Sequence, residues 1–124
     1  MSPRSQELLD RARQGVAAAQ TLVQAGHAAV AVSAAYYAML YAARAALSER
    51  NRHARSHAGT WARFREEFVV EGTFDPDLVR DAQRAQARRE ASDYAAETIA
   101  LDEARALVET AARFVRAVDE RLTT

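Results

Sequence analysis

Residues 28–47 read AAVAVSAAYYAMLYAARAAL, a run with one charge, Arg44, and neither glycine nor proline. A segment of that length without a breaker is a helix, and one without a polar stripe must be covered all round or sit in lipid. Composition decides between the two. Alanine dominates the run and gains little on transfer to lipid, three tyrosines interrupt it, and few leucines or isoleucines offset the arginine. A central arginine costs about 2.5–3.5 kcal/mol in a membrane helix. The expectation is therefore the central helix of a bundle, in a cytoplasmic protein that does not enter a membrane. The opening MSPRSQELLD, which lacks the apolar stretch of a signal peptide, agrees with that.

The rest of the chain supplies partners for such a helix. Leu8, Leu9, Ala12, Val16, Ala19, Leu22 and Val23 recur at three and four, which predicts a helix over 5–25 capped by Ser5, with Gly26 at the left-handed position after it. The second helix, 27–50, follows at once, so the two form an antiparallel hairpin. A polar loop, 51–55, precedes Ser56, which can cap a third helix with Trp61, Phe64 and Phe68 on one stripe and Gly72 at its end. Asp75-Pro76 is an N-cap followed by proline at the first helical position, and Leu78, Ala82 and Ala85 mark the inner face of the fourth helix. After a break near 93–100, Asp102 opens a fifth, with Ala104, Leu107, Val108, Ala111, Phe114, Val115, Val118 and Leu122 inward. The fold expected is an all-α, antiparallel up-and-down bundle of four to five helices, one domain over 1–124.

Residue usage limits the chemistry. There is no cysteine, so disulfides, thiolate zinc sites and thiol nucleophiles are absent. The three histidines, His27, His53 and His57, lie in or beside loops without carboxylates at ligand spacing, so neither a metal nor another cofactor is expected. No glycine-rich phosphate loop, nucleophile elbow or H-E-x-x-H motif occurs. All 17 basic residues are arginine. Net charge is zero, yet residues 1–65 carry nine arginines against three acids, and residues 66–124 carry eight against 14. The halves either complement each other in the folded bundle or between subunits, or the arginine-rich stretch 50–65 contacts phosphate, with Arg52 and Arg55 as its loop members.

Continuing the inner face of the fourth helix, Leu78, Ala82 and Ala85, by four residues reaches Arg89, and four more reach Asp93, beside Tyr94. Charges on such a face must be paired or line a cleft. Arg89 and Asp93 are thus either an ion pair locking the helix end or part of an anion-binding or catalytic cleft, with Arg84 and Arg88 on a neighbouring stripe at its rim. His57 is either bonded locally or part of that cleft. Tyr36, Tyr37 and Tyr41 are read as core and subunit contacts.

The run Ala31-Val-Ser33-Ala-Ala-Tyr36-Tyr37-Ala-Met39, continued by Ala42-Ala-Arg44-Ala-Ala-Leu47, resembles the central helix of HEPN-domain proteins, in their small single-domain prokaryotic branch. Ser56-His57-x-Gly59, Phe64, Phe68-Val69, Gly72 and Arg89-x-x-x-Asp93-Tyr94 keep the same order, so the resemblance covers about residues 5–120. It implies a homodimeric helical bundle. It also implies a component of a toxin–antitoxin or defence system, as a metal-independent endoribonuclease or a protein derived from one, with a nucleotidyltransferase-like antitoxin as partner. The family's active motif is an arginine, four to six residues, then histidine, often followed after one intervening residue by tyrosine. Here the fifth residue after Arg88 is Asp93, a weaker base that repels RNA phosphate. Arg52-x-x-x-x-His57 has the spacing but spans a loop and a helix start. Two readings follow: a composite site in which His57 joins Arg89, Asp93 and Tyr94, with Arg84, Arg88, Arg52 and Arg55 on phosphate, or a catalytically inactive interaction module that binds a nucleotidyltransferase-like partner or a nucleotide.

Overall fold

The computed structural model describes residues 1–124, the side chain of Ala95 excepted. Five α-helices follow one another: α1 (Pro3–Gln24), α2 (Ala28–Glu49), α3 (His57–Phe64), α4 (Pro76–Ala95) and α5 (Leu101–Thr123), with a π-helical turn, Arg65–Val69, continuing α3. No strand occurs among the described residues. This is the expected all-α, up-and-down bundle.

The helix α2 is its axis and packs against all four others. It is long and apolar enough to cross a membrane, but two-thirds of its most apolar window (67%) is buried inside the bundle, which accounts for its missing polar stripe. Alanine makes the close packing possible. A Cβ added to Gly15 of α1 would lie 3.0 Å from Cβ of Ala38, so the two backbones meet with no room for a larger pair. Gly26, at φ +86°, makes the sharp turn between them.

The α1 start differs from expectation. The cap is Ser2, whose Oγ accepts from Ser5 N, and Pro3 fills the first turn. Ser5 lies one turn in and is fully buried, and its hydroxyl donates to Glu49 Oε2 at 2.7 Å. Glu49 also accepts from Ser2 N, which ties the start of α1 to the end of α2 and fixes the hairpin as antiparallel. These bonds hold the Glu49 carboxyl below its ordinary range.

The caps at Ser56 and Asp75 form as expected: Ser56 Oγ accepts from Gly59 N and Asp75 Oδ1 from Asp77 N. The third helix widens into the π turn after Phe64, which keeps Phe68 inside against Phe64 and Phe74, with ring centres 5.1 and 5.4 Å away. On α4 the buried face runs through Val79, Ala82 and Ala85, and Leu78 is half-buried. The core side of α4 thus lies slightly to one side of the stripe read from Leu78, toward Val79.

The uneven charge is partly spent across the bundle. Arg13 of α1 makes a two-pronged pair with Asp119 of α5, and Arg50 and Arg52 both reach Glu67 in the π turn. Three arginines of the basic half, Arg13, Arg50 and Arg52, thus pair with acids of the other half within one chain.

Candidate functional site

Consecutive residues of α2 build the floor of the site. Tyr36 points into the core with no exposure, Tyr37 is half-buried beside it, and their rings meet edge to face at 5.5 Å. Trp61 Nε1 donates to the Tyr36 hydroxyl at 3.2 Å, which fixes the inner ring. Burial pushes the Tyr36 phenol up, outweighing the Trp61 bond and the arginines nearby that favour its ionised form.

Two cationic or potentially cationic side chains rest on this pair. His57, in the first turn of α3 behind the Ser56 cap, places its imidazole 5.6 Å from both ring centres. Arg89, from α4, holds its guanidinium 5.4 Å from the centre of Tyr36 and 5.3 Å from that of Tyr37. Rings that present negative faces accommodate a guanidinium in this way. The Arg89 side chain is only 12% exposed and donates to Asp93 Oδ2 at 3.2 Å. Its Nε is buried without a hydrogen-bond partner among the described residues.

A third cation stands behind His57. Arg44 Nε donates to the buried Thr60 hydroxyl at 3.2 Å, and its Nη2 reaches the Arg55 carbonyl at 3.4 Å. Burial first, and then the charges of Arg44 and Arg89, push the His57 pKa down, against a weaker opposing pull from Glu90. Its place at a helix N-terminus acts in the same direction. The result is a neutral imidazole at neutral pH between two fixed positive charges, a group that can take a proton beside groups that can hold an anion.

The other expected site residues are placed differently. Asp93 is on Arg89, as either reading of that pair requires. Tyr94 points outward and is 82% exposed. Arg88 is held by Glu97 and Glu103 at 3.1 and 2.9 Å, Arg84 stands near Asp81, and Arg52 is on Glu67. Arg55 is exposed, with its side chain in no ion pair among the described residues. The structure thus brings together His57, Arg89 and Asp93 and leaves Tyr94, Arg84, Arg88, Arg52 and Arg55 outside that cluster. Two contributors were not singled out from the sequence as site residues: the Tyr36–Tyr37 platform and Arg44. The available signal was a tyrosine pair and an arginine on a helix otherwise made of small apolar residues.

The up-and-down bundle of five helices is an all-helical domain of the HEPN class. The chain belongs to the HEPN family, whose domain profile matches residues 5–121. It is 35% identical over 124 residues to a UPF0332 protein of Gloeobacter violaceus, covering 98% of both chains. Two proteins of Methanocaldococcus jannaschii named as candidate toxins are also similar. One is 29% identical over 117 residues (94% of this chain, 87% of that one). The other is 27% identical over 89 residues (72% and 60%). The crystal structure of TT1696 from Thermus thermophilus shares the fold, with a TM-score of 0.78 at 21% identity over 96% of this chain and 98% of that one. HEPN domains generally act as dimers.

Proposed function

We propose that this chain is a toxin-type HEPN protein of a prokaryotic toxin–antitoxin or defence system, a cytoplasmic homodimer that cleaves RNA without a metal ion. The observation that carries this reading is the meeting of His57 and Arg89 on one tyrosine pair, with His57 held neutral by its surroundings. Neutral His57 removes the proton from a ribose 2′-hydroxyl. The 2′-oxygen bonds to phosphorus as the P–O5′ bond breaks, leaving a 2′,3′-cyclic phosphate, and the departing 5′-oxygen takes a proton from water or from a protonated imidazole. Arg89 stabilises the charge that builds on the phosphorane. Asp93 orients Arg89, and Tyr94 stands exposed at the mouth of the dimer cleft. Arg84, Arg88, Arg52 and Arg55 contact flanking phosphates. For the paired arginines this means exchanging a carboxylate at the protein surface for a phosphate, and ion pairs at a surface are readily exchanged.

A second reading has its own observation. Asp93 stands where the family motif has histidine, and Arg88 is tied to Glu97 and Glu103. That arrangement favours a catalytically inactive interaction module binding a nucleotidyltransferase-like partner or a nucleotide through the Arg89 cleft. Purified protein incubated with RNA in chelator separates the two. Cleavage that disappears in His57→Ala and Arg89→Ala supports the nuclease, and intact RNA with every form supports the module.

A further inference from the structure

Away from the tyrosine pair, the start of α1, the end of α2 and the loop before α3 enclose a concavity of about 310 Å³. Its wall carries Arg4, Arg44, Arg52, His53 and Arg55, with Leu47 as an apolar side, and no carboxylate lines it. Arg52 is engaged by Glu67, whereas Arg4, Arg44 and Arg55 make no ion pair among the described residues. The nearest carboxylate along the helix, Glu49, is occupied by Ser2, Ser5 and the chain's amino group.

Arg44 makes this more than a basic surface. It is half-buried, its Nε is fixed on the buried Thr60 hydroxyl, and its Nη2 is fixed on the Arg55 carbonyl. A guanidinium withdrawn from water and held in place without a counter-ion is costly unless an anion completes it. The concavity is at the small end of the range for ligand sites, about 300–1,000 Å³, enough for a phosphate with its sugar but not for a strand passing through. Three uncompensated guanidiniums in so small a space match a dianion better than the single charge of a phosphodiester.

We propose that this pocket binds a phosphate monoester, the terminal phosphate of a nucleotide or of an RNA strand, with Arg44 as its fixed anchor and Arg4 and Arg55 as its rim. The proposal builds on the assignment of Arg55 to phosphate contact and does not need strand cleavage.

Equilibrium binding in the His57→Ala background, where the strand is not consumed, tests it with three probes. These are a nucleoside 5′-monophosphate and two short RNAs of one sequence, with a 5′-phosphate or a 5′-hydroxyl. The expected result is binding of the monophosphate, of the phosphorylated RNA or of both, according to the source of the group. The 5′-hydroxyl RNA should bind at least about tenfold more weakly, the weight of one charge-assisted hydrogen bond or more. Arg44→Gln should weaken the phosphorylated probe about tenfold. If Arg44→Gln fails to fold, Arg4→Ala/Arg55→Ala, on the exposed rim, gives the same readout. Equal binding of the two RNAs with no binding of the monophosphate, no binding of any phosphorylated probe, or unchanged affinity in the rim variant would overturn the pocket. Because binding is read without turnover, a protein that binds but does not cleave separates this proposal from the nuclease reading.

Discussion

His57 and Arg89 stand against the same two rings, the imidazole 5.6 Å from the centres of both Tyr36 and Tyr37 and the guanidinium 5.4 and 5.3 Å away. The two residues come from different helices, and α2 brings them together. The consequence is electrostatic. Each positive charge is tolerable over aromatic faces, but a second one nearby is not welcome, so His57 stays neutral while the arginines stay charged.

That relationship has a pH signature. The folded pKa of His57 lies below its ordinary value of 6.5, so above that value the residue costs the fold nothing. As pH falls through 6.5, the unfolded chain takes up a proton that the folded one refuses, and stability declines until the folded pKa is passed. Melting curves from neutral to about pH 5 should show this decline, and His57→Gln should remove its share of it. An imidazole titrating above the ordinary value by NMR would contradict the arrangement.

The bond between Trp61 and Tyr36 is buried, so removing its acceptor strands an indole N–H. Tyr36→Phe should cost about 1–3 kcal/mol in chemical denaturation. Trp61 is the chain's one tryptophan, so its fluorescence follows the same transition.

Close packing of α1 on α2 gives a size test. Gly15→Val forces the Ala38 backbone away and should cost about 1–3 kcal/mol. Gly15→Ala should be near neutral, its helix-propensity gain of about 1 kcal/mol offset by the 3.0 Å approach to Ala38.

Asp93 is 46% exposed, so its pair with Arg89 contributes little stability. Asp93→Ala should lower it by about 0.5–1 kcal/mol, yet reduce cleavage about ten- to a hundredfold by releasing Arg89. A clear drop in melting temperature with cleavage intact would make the pair purely structural.

Most of the bundle was legible in the sequence because its signals are local. A breaker-free apolar run, caps at Ser56 and Asp75, and glycines at the turns each act over a few residues. Ser5 is ambiguous in sequence because a serine at the first turn looks the same whether it caps its own helix or bonds to Glu49, a partner far along the chain. Arg89 was legible as a charge on a buried face. Its setting over Tyr36 and Tyr37 was not, because that depends on how far α4 rotates against α2. Tyr94 was drawn in only as the neighbour of Asp93; nine residues past Ala85 it stands half a turn from that buried residue, so its outward direction was readable from helix geometry.

The most direct measurement is RNA cleavage by the purified protein in the presence of chelator, alongside His57→Ala and Arg89→Ala. Fragments ending in 2′,3′-cyclic phosphate are expected from the unaltered protein, with a loss of at least about a hundredfold in each variant. Cleavage that survives both substitutions, or RNA left intact by the unaltered protein, would contradict the nuclease reading.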